Sequence, residues 1–567
     1  MSGGRGVGEP DGAADRRRTR SPRGPLRIPL PTPLTAPGVA VGTALACLAL
    51  TPSLLPRSPA AQGLVCGIVA AVGYGVGRLG TRVARRATWR PGPHLHKAGR
   101  WAVWVLAPLA FALMLTASFG WQREVHGLVG LEPPSGASPL LIVAVTLAVA
   151  LLLVGVGRLL RAAARRVAGP LGRVLPARVA SPLGALAVAV VIGAALDQFV
   201  LRWTLAAIDS SFDAVNNEVP PGREPPVTGM RSGGPGSLSP WDELGVQGRR
   251  FVSSGPGRAD LAETAAGRTV RTPIRVYVGL DSGEDLEELA AVAVRELERT
   301  GAFRRAVLCV VTPTGRGWVN QDAAEALEHL YAGDTAIVSM QYSYLPSSLA
   351  FLTDPERARE AGRQLFDQVH ERWAGLPEDT RPRLLVYGES LGSTGAQAAF
   401  SGLGDIRART DGALFVGPPQ SNTLWRELVE RRDRGTPQVL PTYDSGLTVR
   451  FASDRSDVHR PDGRPWQAPR VLFLQHASDP ICWWSPDLLF RRPDWLEEPR
   501  GADVSPSMSW YPVVTFAQVT ADLAVGNSTP VGHGHRYGDF VRHWAAILPP
   551  PGWSDADTDR VAAVLDG

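Results

Sequence analysis

The sequence predicts a chain in two unlike parts, an N-terminal all-α transmembrane domain of five helices and a C-terminal α/β domain with a mostly parallel sheet. Three observations lead there. Five apolar stretches, near 38–55, 61–79, 101–120, 138–157 and 183–204, are long enough to cross roughly 30 Å of hydrocarbon as helices. From about residue 270, short apolar runs alternate with helical patterns, the signature of parallel strands covered on both faces. The charge also changes sign, with 23 Lys+Arg against 7 Asp+Glu in residues 1–209 and 36 against 47 in the remainder.

At 567 residues, with charged residues at 20% and a mean hydropathy of −0.03, the chain has ample core and is not disordered wholesale. Residues 1–37 form a basic tail with seven Arg, and residues 38–208 the five-span domain. The spans are rich in Ala, Val, Leu and Gly and none has a polar face, which excludes helices buried in a soluble core. The tail and the loops 78–100 and 158–178 together carry 20 basic residues, whereas the loops 56–60 and 121–137 carry only Arg57 and Arg123. Basic loops stay in the cytoplasm, so the tail is expected inside the cytoplasmic (inner) membrane and the C-terminal half outside it. A cleaved signal peptide competes for the first span, but the leader is long and four further spans follow. Ala44-Leu45-Ala46-Cys47 lacks the large apolar residue of a lipoprotein cleavage site. Asp197 and Gln198 fall near the outer end of the fifth span, either as functional polar groups or as solvated ones. The basic excess lies in short loops between apolar runs, so nucleic acid is not an expected partner. Four cysteines with no CxxC spacing exclude a disulfide scaffold and a cysteine zinc site, and leave open whether Cys309 and Cys482 pair.

Residues 209–249 are thick in Pro, Gly and Ser and are expected to form a linker without regular structure. In residues 250–567, strands are expected at Ile274–Leu280, Ala306–Val311, Thr335–Met340, Leu384–Tyr387, Ala413–Val416, Leu447–Phe451 and Val471–Leu474. Helical patterns at Leu286–Glu298, Ala323–Leu330, Pro355–Trp373 and Thr394–Phe400 separate them, and reactive residues are expected beyond the carboxyl ends of the strands.

The chemistry converges on Leu384-Leu385-Val386-Tyr387-Gly388-Glu389-Ser390-Leu391-Gly392, where a strand runs through Gly-x-Ser-x-Gly into a helix. That context lifts a nucleophilic serine onto a tight, exposed turn, and small neighbours let the backbone close around it. An acid and a histidine follow in the order of an α/β-hydrolase. Asp479, 89 residues after Ser390, sits in a loop after the 471–474 strand, and Gly532-His533-Gly534-His535 comes 54 residues later. One of the two histidines is expected to be the base, with His533 favoured slightly because it follows the first glycine of the turn. Asp454 and Asp457 are alternative acids, and His476 reads as a packing or hydrogen-bonding residue. His329 and His370 fall on helices and read as solvated. The His-x-His pair also has the form of two metal ligands, but no third ligand accompanies it at motif spacing and the adjacent glycines suit a turn, so no metal and no organic cofactor is expected. The oxyanion is assigned to the amide of Leu391 and to the Thr312–Trp318 loop, with Thr314 and Gly315 as donors, a plain glycine-rich turn being the alternative.

These stretches also carry a likeness. Together with Ser53–Arg57, Trp241–Gly245, Glu296–Phe303, Thr312–Val319, Gln341–Pro346, Leu474–Pro480, Trp495–Pro506 and Gly532–Tyr537, the Gly388–Gly392 motif resembles the actinobacterial membrane-linked α/β-hydrolase family. In that family a multi-span domain precedes the catalytic one. The resemblance implies the α/β-hydrolase fold and serine-hydrolase chemistry. Related membrane hydrolases that remove amino acids from aminoacylated lipids suggest a substrate class. The expected function is a membrane-anchored serine hydrolase of a lipid-linked ester, acyl or aminoacyl, with the bilayer as its partner. An acyltransferase using the same triad, and a non-catalytic membrane protein with a hydrolase-like binding domain, are the alternatives. Trp483, Trp484, Trp495, Trp510 and Tyr511 suit an apolar pocket or the membrane interface, or else ordinary core packing.

Overall fold

The computed structural model describes residues 33–84, 93–133, 138–173, 176–195, 216, 218–459 and 463–565. Most of the basic tail, together with Asp197 and Gln198, lies outside the described residues.

Among the described residues, the N-terminal part holds five apolar helices: α1 (Ala36–Ala49), α2 (Pro59–Ala84), α3 (Pro93–Leu128), α4 (Pro139–Leu171) and α5 (Ala177–Ala195). Among the described residues only three are long and apolar enough to cross a membrane, namely α2, Ala98–Leu128 of α3, and α4. Of the five expected spans, those near 61–79, 101–120 and 138–157 are thus supported by length and composition. The run 38–55 is helical only as far as Ala49. Pro52 and Pro56 interrupt the chain there, and Leu54 and Leu55, at 0% and 1% exposure, enter the core of the C-terminal domain rather than lipid. In α5 the apolar segment is the short Pro182–Val191, and the expected span beyond Ala195 lies outside the described residues. Helix α4 continues past its apolar part, so Arg158, Arg161, Arg165 and Arg166 are helical rather than in a loop.

Small residues set the helix crossings. A Cβ on Gly73 would fall 2.8 Å from the Gly42 Cα, and one on Gly67 2.7 Å from Val149, so α2 approaches α1 and α4 at distances only glycine permits. The outward faces carry Leu64, Val76, Trp101, Leu106, Leu113 and Leu152, all exposed, an apolar surface far larger than a protein in water presents.

The C-terminal domain is built on seven parallel strands: β1 (Ile274–Val278), β2 (Val307–Thr312), β3 (Thr335–Met340), β4 (Arg383–Glu389), β5 (Gly412–Val416), β6 (Val449–Ala452) and β7 (Arg470–Leu474). Their order is β1-β3-β2-β4-β5-β7-β6. All seven lie on the expected apolar runs, because strands buried on both faces are apolar without interruption. Alternate residues feed two cores. In β2, Leu308 and Val310 pack on one side, and Val307, Cys309 and Val311 on the other. The covering helices include α6 (Leu286–Thr300), α7 (Gln321–Leu330), α8 (Ser347–Thr353), α9 (Pro355–Ala374), α10 (Leu391–Ala398), α11 (Val514–Asp522) and α12 (Phe540–Ile547).

The Pro/Gly-rich stretch is mostly irregular from residue 218 but does not hang free. Arg231 runs parallel beside β1, where the Ser232 amide donates to the Arg275 carbonyl (3.0 Å) and the Arg275 amide to Met230 (3.2 Å). The Arg275 side chain, fully buried, is held by both Glu328 oxygens at 2.7 Å.

The two parts of the chain share an interface. Gln518 of α11 donates to the carbonyls of Ala49 (3.2 Å) and Thr51 (3.0 Å), and Arg57 pairs with Asp522 at 2.9 Å. The C-terminal domain therefore sits at the end of the helices where residues 50–58 and 129–133 turn. The Arg-rich ends of α2 and α4 lie at the opposite end.

Candidate active site

Ser390 follows β4, between β2 and β5, and precedes α10. Its φ of 54° and ψ of −124° lie where side-chain-bearing residues are strained, at a cost of about 1–3 kcal/mol that the surrounding contacts must hold. Its amide donates to the Val416 carbonyl (2.8 Å), and its carbonyl accepts from the Ser393 amide (3.0 Å) and hydroxyl (2.7 Å). Closure of the turn requires glycines. A Cβ on Gly388 would lie 2.5 Å from the Gly392 carbonyl oxygen, and one on Gly392 2.3 Å from that of Thr312.

Asp479 ends the β7 loop and caps the one-turn helix Pro480–Trp483. One carboxylate oxygen accepts from the Ile481 amide (2.8 Å), and the other accepts from the Tyr537 hydroxyl (2.7 Å) and from His535 Nδ1 (2.7 Å). Asp479 and His535 are buried. The His535 amide donates to Gly526 (2.8 Å), and its ring lies against Gly417, where a Cβ would fall 2.5 Å from Cε1. Gly417 follows the residue whose carbonyl holds the Ser390 amide, so imidazole and serine share one strand end. With Nδ1 donating to Asp479, Nε2 is the nitrogen free to move a proton.

The slight preference for His533 is thereby reversed. His533 does not reach Asp479. Its Nδ1 stands 3.7 Å from Asp503, and its Nε2 lies against Gly130 of the N-terminal domain. The two histidines point to different partners, which also removes the paired-ligand geometry. Asp454 and Asp457 cap the short helix Arg455–Val458, whereas His535 bonds Asp479. His329 is not solvated; it is buried and bonded to the Thr264 hydroxyl (2.8 Å). His476 stacks on Tyr537 (4.1 Å between centroids) and contacts the Gly534 carbonyl (2.9 Å). Cys309 and Cys482 are buried free thiols.

The Thr312–Trp318 loop lies beside the serine turn, with the Thr312 and Pro313 carbonyls against Gly392. Thr314 is corrected as a donor, because its amide already donates to the Trp318 carbonyl (2.9 Å). The amide of Leu391 opens α10, where first-turn N–H groups have no intrahelical acceptor, and the Gly315 amide, the other member of the expected pair, faces the buried Tyr342 hydroxyl.

Sequence reasoning missed two carboxylates. Asp503 accepts from the Ser478 hydroxyl, which itself accepts the Gly534 amide (2.8 Å), so it fixes the turn that carries His535. Glu389, beside the nucleophile, is buried and accepts from the Tyr387 hydroxyl (2.6 Å) and the Asn320 amide (2.8 Å). Its place as the variable residue of Gly-x-Ser was the only signal for it, and Asp503 had none of its own.

Electrostatics follow from burial and pairing. Burial pushes the Glu389 carboxyl up, against the lowering by Tyr387, His535 and Asn320. Burial acts to raise Asp479 too, but His535, Tyr537 and the Ile481 amide outweigh it and hold that carboxyl below its usual range. For His535 burial disfavours the charged ring, while Asp479 and then Glu389 favour it more strongly, so its pKa lies above the ordinary 6.5. The base must be neutral to accept a proton, so kcat/KM is expected to rise with pH through an apparent pKa above 6.5, and a pH profile on a soluble ester checks this. An acid limb below that value would contradict the pairing.

Residues 274–561 match the model of the alpha/beta-hydrolase family, and residues 50–256 match the model of that family's N-terminus. No curated protein and no solved structure gives a match.

Proposed function

We propose, from the premise that the chain belongs to the alpha/beta-hydrolase family, that it is a membrane-anchored serine hydrolase that cleaves a lipid-linked ester, acyl or aminoacyl, at the outer face of the cytoplasmic membrane. The observation that carries this reading is the 2.7 Å contact of His535 Nδ1 with buried Asp479, beside a serine held on a strained turn. Ser390 Oγ attacks the ester carbonyl while His535 Nε2 takes its proton, and Asp479 stabilises the imidazolium. The amides of Leu391 and Gly315 bind the oxyanion. The alcohol leaves with the proton from His535, which then deprotonates the water that attacks the acyl-enzyme, and the acid departs from Ser390.

Three apolar helices of spanning length support the anchor. The outer location is supported by the position of the C-terminal domain, at the helix ends with few basic residues. A lipid-linked substrate is supported by the docking of α11 directly on the helical domain.

One experiment in two arms tests the reading. A membrane-impermeant fluorophosphonate added to intact cells is expected to label the wild-type chain and not Ser390→Ala. Membranes given an acyl-lipid panel are expected to lose one member only when Ser390 is intact. Equal labelling of the variant removes the nucleophile, and labelling only after lysis places the domain inside.

A further inference from the structure

The aromatic residues between Asp479 and the histidines divide into two sets. Trp483 and Trp495 are core, at 0% and 1% exposure. Trp484 is only half-buried and belongs to a row of half-buried rings. Its ring meets Phe351 of α8 edge-on, with centroids 6.0 Å apart, and Phe516 of α11 at 5.9 Å. Its indole N–H is satisfied by the Thr520 hydroxyl (2.8 Å), so the row exposes hydrocarbon without an unpaired polar group.

Each end of the row is anchored. At one end α11 is docked on the helical domain. Val514 is fully buried in a cluster with Leu50, Val65 and Leu115, and Gln518 bonds the chain leaving α1. At the other end α8 covers the oxyanion loop, where the Ser347 and Thr314 hydroxyls bond at 2.5 Å and a Cβ on Gly315 would lie 2.5 Å from the Ser347 amide nitrogen. Trp484 itself lies five residues after the triad acid, directly after the helix that Asp479 caps. A row of apolar rings therefore runs from a helix docked on the N-terminal helices to the segment packed on the Thr312–Trp318 loop.

We propose that the row Phe351–Trp484–Phe516 is the subsite for the hydrocarbon chain of an ester drawn sideways from the bilayer. The inference rests on the serine-hydrolase reading and names where its substrate's apolar part lies. A chain leaving the bilayer beside α11 passes from lipid to ring faces without crossing water, and brings its ester to the loop of Leu391 and Gly315. Each methylene laid on the rings stays out of water, so the row favours long acyl chains over short ones.

The test compares hexadecanoyl and butanoyl p-nitrophenyl esters on the full-length chain in detergent micelles. In Trp484→Ala and Phe516→Ala, kcat/KM is expected to fall by about ten-fold more for the hexadecanoyl than for the butanoyl ester, through KM, given the transfer free energy of a few methylenes. Trp484→Phe is expected to recover most of the difference. A long-chain fluorophosphonate with a terminal diazirine, once attached to Ser390, is expected to crosslink to α8, α11 or the 480–484 segment. Equal falls for both esters, or crosslinks elsewhere, overturn the subsite alone. A wild-type chain that cleaves neither ester and takes no fluorophosphonate overturns the hydrolase reading, and the subsite with it.

Discussion

His535→Ala is expected to lower turnover by roughly 10⁴-fold or more, and His533→Ala to keep most of it. The two residues are neighbours in one turn, yet only His535 has its Nδ1 on Asp479, at 2.7 Å, with its ring against the glycine that follows β5. On the proposed mechanism its loss removes both the proton acceptor for Ser390 and the group that returns the proton to the leaving alcohol. His533 stands 3.7 Å from Asp503 and is 29% exposed at its side chain, so its removal touches neither step. Asp479→Asn is expected to approach the His535 loss, because an amide in its place supports the wrong tautomer of the ring. Steady-state kinetics on a soluble ester distinguish these variants. A loss in His533→Ala matching that in His535→Ala would return the base to the earlier histidine.

How much of this was legible depended on whether the deciding physics was local. The seven strands were readable because a strand buried on both faces repeats apolar residues without a gap, and the serine turn because its glycines are required within five residues. Asp479 was readable as a candidate because it is the first carboxylate in the loop beyond β7. The choice between His533 and His535 was not, since the partner that selects His535 is 56 residues away and the Gly526 carbonyl that fixes its backbone carries no sequence signature. Hydropathy also failed at residues 50–55. Leu54 and Leu55 are as apolar as any lipid-facing residue, but they fill a protein core, and transfer scales do not distinguish the two destinations. The 218–249 stretch misled in the opposite sense. Its composition excludes regular structure, yet Arg231 and Ser232 are bonded along β1.

The loop that hydropathy misread leads to the second large effect. Arg57→Met is expected to cost about 3–5 kcal/mol of stability, because it strands the Asp522 carboxylate in the interior. The pair is closed to solvent, at 1% and 0% side-chain exposure, with Arg57 Nε 2.9 Å from the carboxylate. Ser53 bonds the other carboxylate oxygen, and Gln62 accepts from the guanidinium at 3.2 Å. The effect should reach the chemistry as well. Asp522 ends α11, and Gly526, in the turn that follows it, offers the carbonyl that holds the His535 amide at 2.8 Å. A shift of α11 therefore moves the base relative to Ser390, and misplacement by about 1 Å can cost about 10²-fold in rate. Residues 250–567 expressed alone are therefore expected to be poorly active even on a soluble ester. The double variant Arg57→Met/Asp522→Leu separates charge from packing. With both charges replaced by apolar groups, stability should return to near the wild-type value or above it. Thermal unfolding in detergent with parallel kinetics measures both effects. An Arg57→Met chain that melts and turns over like the wild type would show that the buried pair neither holds the interface nor positions the histidine.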